Sequence, residues 1–365
     1  MAKSHLILSN ASDYHAIAVK WALERLGHDV LLWSGIGESG DAHVSFVPSR
    51  LNSPLTLAGR TYASFASTWF RRQSPSRAGG SVHPDSEQFL KNEILQAHES
   101  LCSAAENISD FVVGGRSSRA ASSKVRQLEV AVATGMCVPN TLISNNYEEI
   151  ARFAAGHREI LVKHFFPHYW GNTSSGRISA VGPCIIKDFS KINQRSVEIC
   201  PAIYQELVDK KYEIRVTVIG DDIFAAKIQS RRGESFLDWR QEYGNEDMFM
   251  SAMELSGSTA NSVRGLMHIL NLKYGCIDFA VDQEGREVFL EINPGGQFLF
   301  VEEYVPEFRL LAAFSAMLAS GSNAYATSGM QGISDADFLR SDEYLVWSEN
   351  RVPQDEKGRF FTFVA

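Results

Sequence analysis

One stretch near residue 290, Val288-Phe289-Leu290-Glu291-Ile292-Asn293-Pro294-Gly295-Gly296-Gln297, constrains this chain more than any other. An apolar run carries a carboxylate and an amide two positions apart, then breaks into a Pro-Gly-Gly turn. Side chains at i and i+2 of a strand share a face. Phe289, Glu291 and Asn293 are therefore expected on one face, with Leu290 and Ile292 on the other. Residues 274–281 read as the preceding strand, with Asp278 at its middle, and Asp282-Gln283-Glu284-Gly285-Arg286 has turn chemistry. A hairpin symmetric about Glu284 and Gly285 sets Asp278 opposite Glu291. Like charges opposed in this way destabilise a sheet, so a positive partner is expected between them. Two carboxylates and an amide oxygen suit magnesium, a hard cation that keeps waters and takes phosphate oxygens as further ligands. The same residues also fit a strand end with a solvated glutamate and an Asn-Pro turn.

The chain's 365 residues exceed one ordinary core and imply two or three domains. A net charge of −8, from 43 acidic against 35 basic residues, argues against nucleic acid as a partner. Five dispersed cysteines (Cys102, Cys137, Cys184, Cys200, Cys276), with no Cys-x-x-Cys pair, fit a reducing compartment and offer no zinc site. The N-terminus lacks signal-peptide character. The longest helical apolar run, 310–319, is far short of the ~20 residues that cross a bilayer. A cytoplasmic protein without a membrane partner is expected.

Taken in order, residues 5–9, 14–26 and 30–33 alternate as strand, helix and strand, an α/β unit. Gly35-Ile36-Gly37-Glu38-Ser39-Gly40 matches the dinucleotide fingerprint in letters. That motif must open a helix, and the residues after it, with Pro48 and Pro54, read as loop. Arg71 and Arg72 end a strand after Trp69 and Phe70; they fit a carboxylate clamp or a solvated pair. Residues 73–84 read as loop and 86–103 as a long amphipathic helix. A domain boundary falls at 115–122. Lys124 opens a helix over 125–134, residues 137–143 form a strand, 147–155 a helix, and 160–163 a strand ending in Lys163. His164 and His168 have metal spacing only on a helix, which Pro167 forbids. The loop from Trp170 to Arg177 has phosphate-cradling composition, as ordinary turns also do. Residues 202–208 and 212–219 are strands, the second turning at Gly220-Asp221-Asp222 into 223–228. Arg215, Lys227, Arg231, Arg232 and Arg240 make this region basic, as a phosphate pocket or as a solvated face. Helices come next at 258–270 and 308–319. The segment 321–365, with Phe360, Phe361 and Phe363, reads as a partly ordered tail wrapping back onto the body.

In this order the elements resemble the ATP-grasp superfamily: Lys124 before a Val-Pro-x-Thr strand, Lys163 ending a strand, Gln205-Glu206-Leu207-Val208, Glu213-Ile214-Arg215, then Asp278 and Glu291-Ile292-Asn293. More closely, the chain resembles the microviridin-type (graspetide) peptide ligases, which close lactones or lactams in ribosomal peptides. Trp69-Phe70-Arg71-Arg72, the run from Tyr212 to Gly220, Asp238-Trp239-Arg240, and Glu291 to Phe298 carry that likeness over roughly residues 1–320. Gly295 stands where relatives often have Asn, Phe298 and Phe300 where many have Trp, and the tail has no counterpart.

The resemblance implies an α/β (α+β) ATP-grasp fold, with an N-terminal pre-ATP-grasp domain (1–118), a central subdomain (119–207), a C-terminal antiparallel-sheet subdomain bearing the metal site (208–325), and a tail (326–365). It implies that Lys124 and Lys163 contact ATP phosphates. Gln205 and the backbone of Glu206, Leu207 and Val208 would line the adenine, and Glu213 the ribose. Asp278, Glu291 and Asn293 would hold Mg2+, while Arg215 and Arg240 face the γ-phosphate and the acyl group. The implied activity is ADP-forming ligation of a carboxylate to an amine or alcohol on a precursor peptide, by a homodimer. A small-molecule acceptor is the alternative. A non-catalytic nucleotide-binding partner protein is a third reading, opposed by the intact Lys163, Arg215, Asp278, Glu291 and Asn293.

Overall fold

The computed structural model describes residues 4–36, 43–49, 53–72, 83–165, 169–172, 177–180, 183–231, 239 and 247–350. Arg232, Asp238, Arg240, His168, the centre of the 170–177 loop and Phe360, Phe361 and Phe363 lie outside them.

Alternation of short apolar strands with an amphipathic helix builds the first layer. β1 (Ser4–Ser9), α1 (Tyr14–Arg25) and β2 (Val30–Trp33) form a βαβ unit, and Asp13 caps α1 by accepting the N–H groups of His15 and Ala16. After Gly35-Ile36 come β3 (Ser45–Phe46), β4 (Leu55–Leu57) and β5 (Arg60–Tyr62), a small antiparallel sheet. Residues 37–42 are outside the described set. The chain at 43–49 is extended, without the helix a dinucleotide turn needs. β6 (Phe65–Arg72), α2 (Pro84–Asn107) and β7 (Ser109–Val113) complete a parallel sheet in the order β2-β1-β6-β7. A short α3 (Gly115–Ala121) leads out of it.

α4 begins at Lys124 and runs to Ala133, capped by Ser123. Next comes a four-stranded antiparallel sheet, in the order β12-β9-β13-β8. Its strands are β8 (Thr141–Ser144), β9 (Ile160–Lys163), β12 (Cys184–Ile186) and β13 (Ala202–Glu206). α5 (Tyr147–Ala155) and α6 (Gln194–Glu198) accompany it, and a β10–β11 hairpin (Tyr169–Asn172, Arg177–Ala180) lies between β9 and β12 in sequence. Two strands are shorter than their sequence suggests. Pro139 has no N–H to donate, so of 137–143 only the end joins the sheet, while Cys137 makes an isolated parallel bridge to Val288. β13 stops at Glu206, where the chain turns away.

The third sheet is antiparallel, ordered β16-β15-β14-β17-β18. It comprises β14 (Lys210–Ile219), β15 (Asp222–Ser230), β16 (Met248–Met253), β17 (Tyr274–Asp282) and β18 (Glu287–Asn293), with α7 (Gly257–Ile269) between β16 and β17. One face carries Ile214, Val216, Val218, Ile277, Phe279, Phe289 and Ile292 into a core shared with α4 and α7. Alternation sends Glu213, Arg215, Thr217 and Asp278 to the other face.

Asp278 does lie opposite Glu291, though not through a symmetric turn. Near the turn Val281 faces Glu287 and Phe279 faces Phe289, a register centred on Glu284. A shift between Asp278 and Phe279 then makes Leu290 an extra residue, and from there Asp278 faces Glu291 and Cys276 faces Asn293. This bulge overturns the expectation that Phe289 shares a face with Glu291. Phe289 joins Ile292 in the core instead. Simple alternation would have put one of them in the wrong environment.

α8 (Leu299–Tyr304) and α9 (Leu310–Ser320) complete this part of the chain, and α9 is buried from Leu310 to Leu318 against α1. The apolar run is a core helix. Up to Asn350 the tail wraps back onto the body, as expected. α10 (Asp335–Phe338) and α11 (Asp342–Asn350) return to α1, with Phe338 fully buried, Tyr14 donating to Asp335 at 2.6 Å, and Trp347 donating to Ala11 O at 2.8 Å. Among the described residues no helix is long and apolar enough to cross a membrane.

Candidate active site

The hairpin β17–β18 brings together five of the expected residues. Arg215, opposite Asp278 in the β14–β17 register, donates from Nη1 to Asp278 Oδ1 at 2.9 Å, with both side chains 4% exposed. Lys124 Nζ, at the start of α4, pairs with Glu291 Oε2. Asn293 Nδ2 lies 3.4 Å from Glu291 Oε1, so amide and carboxylate stand side by side. The expected positive partner is thus two cations, one on each carboxylate.

Arg215 is fixed on every side. Its guanidinium lies 5.8 Å from the Trp239 ring and 5.7 Å from that of Phe300, which stack on each other, and Nη2 donates to Gln297 O at 2.8 Å. Such packing leaves a charged donor preorganised. Of the basic residues expected around it, Lys227 is turned away. Lys227 lies opposite Ile214, hence on the other face, over the Tyr212 ring at 4.3 Å. Arg231 lies over Phe249, and Arg232 and Arg240 are outside the described residues.

The remaining expected residues belong to the four-stranded sheet or its exit. Lys163 faces Ile203 at the end of β9. Gln205 is buried and donates to Thr141 Oγ1 at 2.9 Å. Glu206 accepts from Asn140 Nδ2 at 2.7 Å. The backbone N–H groups of Glu206 and Leu207 are already spent on Asn140 O and Glu159 O. Among the described residues no hydrogen bond occupies the Val208 N–H, which leaves it as the donor an adenine edge could use. Glu213 is buried and accepts from Lys210 Nζ at 2.7 Å. His164 is exposed.

The residues fit a hard cation. All three side chains supply oxygen, none supplies sulfur or imidazole, and the amide already touches a carboxylate. Two carboxylates and an amide are three ligands, which would leave coordination sites for water and phosphate.

Several residues shape this site without a signal in the sequence. Gln127 is buried and brackets the edge strand β18: Nε2 donates to Ile292 O at 2.8 Å and Oε1 accepts Ile292 N–H at 3.2 Å. It stands one turn after Lys124, on the same side of α4, and that spacing was the available clue. Beyond β18, Tyr274 donates to Gly296 O at 2.7 Å, and Phe298 N–H and Leu299 N–H donate to His15 Nε2. Burial first, then the Arg71 charge, holds His15 well below its ordinary pKa, so the ring is neutral and free to accept. Arg71 itself has a fully buried side chain and is no clamp for an incoming carboxylate.

Gly296 is required by close approach. A Cβ there would sit 2.5 Å from Cys276 Cβ and 3.1 Å from Arg215 Nη2. Gly296→Ala is expected to displace Arg215 and to lower turnover about tenfold or more, since small misplacements of a catalytic group cost up to ~10²-fold. Steady-state kinetics of the purified variant check this.

No family model and no curated protein matches the sequence. Solved structures do. A RiPP-associated ATP-grasp ligase of Chryseobacterium gregarium, solved with ADP and a leader and core peptide, superposes with a TM-score of 0.77 at 23% identity, over 88% of this chain and 98% of that one. The macrocyclase MdnC of Microcystis aeruginosa, bound to precursor peptide MdnA, gives 0.72 at 22% identity, over 87% and 99%. The ATP-grasp ligase PsnB, with minimal precursor, Mg and ADP, gives 0.64 at 18% identity, over 86% and 99%. The chain has the ATP-grasp fold. Its likeness runs through the whole length of these peptide-bound ligases.

Proposed function

We propose that this chain is an ADP-forming ATP-grasp ligase that joins an Asp or Glu side chain of a ribosomally made precursor peptide to a Ser or Thr hydroxyl or a Lys amine. The observation that carries the reading is the convergence of Asp278, Glu291 and Asn293 with Lys124 and Arg215 across β14, β17 and β18. The ligases similar in fold were solved with peptide, which supports a peptide substrate.

A carboxylate is a poor electrophile and repels a phosphate. ATP supplies the phosphoryl group that makes it an acyl phosphate, and Asp278, Glu291 and Asn293 would hold Mg2+, which when bound would supply positive charge against the phosphate oxygens. Lys124 and Lys163 contribute positive charge beside the phosphates. The Val208 N–H reads the adenine edge, and Glu213 accepts from the ribose in place of Lys210. Arg215, rigid on β14, faces the acyl group and stabilises the oxyanion that forms when the hydroxyl or amine attacks. Phosphate then leaves, so each new bond costs one water. Arg240 joins Arg215 on this reading.

Incubating the chain with ATP, Mg2+ and the peptides encoded beside it tests the proposal. Expected are peptide products lighter by one water per bond, with matching ADP and phosphate. AMP and pyrophosphate instead would overturn it.

A further inference from the structure

One buried side chain ties the N-terminal sheet to the turn after the metal strand. Arg71 lies at the end of β6, and its Nη1 donates to the carbonyl oxygens of Gly295 and of Gly296, the second at 3.0 Å. Its Nε lies 3.3 Å from Asp13 Oδ2. Burial pushes the Asp13 carboxyl up, but the Arg71 guanidinium first, with Arg72 and the Ala16 N–H, brings it below its ordinary pKa, so it is ionised opposite the guanidinium. The turn so held starts at Asn293, whose carbonyl accepts the Gly296 N–H at 3.1 Å. Arg215 grips the same turn from the other side, through Gln297 O.

A buried ion pair is weak ground for stability, because desolvation offsets most of its attraction. Its place beneath this turn points to geometry. The guanidinium fork spreads its donors over two positions, Nη1 on two successive carbonyls and Nε toward the carboxylate, which the single nitrogen of a lysine does not reproduce. We propose that Arg71, oriented by Asp13, is a positioning residue: it sets the 294–297 turn so that Asn293 and Arg215 address the same metal-nucleotide group. This rests on the site being the Mg2+-ATP site argued above.

Two variants separate positioning from folding. R71K keeps the charge and loses the fork. D13N keeps the α1 cap, since Asn caps as well as Asp, and loses the charge that orients Arg71. Each is assayed by thermal melting, by nucleotide binding in EDTA, and by Mn2+ binding in the presence of a non-hydrolysable ATP analogue. Both variants are expected to melt cooperatively and to bind nucleotide alone within about twofold of the parent. Their Mn2+ affinity should fall about tenfold, as when the partners that orient a metal ligand are removed. Unchanged Mn2+ affinity in both, or parallel loss of nucleotide with and without metal, overturns the assignment. A parent protein that binds no nucleotide overturns the function instead, so the two failures are distinguishable.

Discussion

Asp278→Asn should lower product formation by about 10³-fold or more. Two effects act together. The variant removes one of the two carboxylates proposed to hold Mg2+, and phosphoryl transfer depends on such neutralisation. It also removes the carboxylate that pairs with Arg215, both side chains being 4% exposed. Breaking a buried pair by removing one partner costs up to about 3–5 kcal/mol. Lower thermal stability is therefore expected alongside the kinetic loss, and the two must be measured apart. Below the variant's own melting range, nucleotide binding in EDTA should persist while Mn2+ binding is lost. Unchanged turnover would remove Asp278 from the metal site.

The same residues show how far the sequence reaches. The opposition of Asp278 and Glu291 was legible, because an apolar run, a carboxylate and turn residues leave few registers to choose from. The bulge at Leu290 was not. It requires knowing that Phe289 and Ile292 both fill the core shared with α4 and α7, a tertiary demand that overrides period-2 alternation. Lys227 fails for a related reason: one position in a strand decides the face, and it stands opposite Ile214 rather than on the face of Arg215. The start of α4 at Lys124 was legible because Ser123 and the first helical turn are local signals.

Beyond reach were contacts carried by partners far apart in the chain. Arg71 meets Gly295 across 224 positions, His15 meets Phe298 across 283, and Tyr14 meets Asp335 across 321. None of these pairs has a spacing to read. The contacts of the tail are hidden on the same ground. Phe338 and Tyr344 have aromatic partners on α1, in Tyr14 and Trp21.

Lys124→Met should act in opposite directions on metal and on turnover. The Lys124 ammonium sits on Glu291, a carboxylate proposed to hold the cation. On that proposal it would compete with the metal when no phosphate is present and would turn to phosphate once nucleotide arrives. Both side chains are about one-quarter exposed, so solvent screens the pair. At ~0.5–1 kcal/mol for such a pair, its loss should tighten Mn2+ binding without nucleotide by about two- to fivefold. Turnover should move the other way, falling about 10²-fold or more, because a cation aimed at transferring phosphate is lost. Paramagnetic titration of Mn2+ against the parent and the variant, with and without nucleotide, reads the first effect, and ADP release reads the second. A lysine that served only to tether α4 to β18 would weaken both measurements together. Gln127 already makes that tether through two hydrogen bonds to Ile292, so α4 should stay in place when Lys124 is changed. Tighter metal with slower turnover is the outcome that marks Lys124 as the residue exchanged between carboxylate and phosphate.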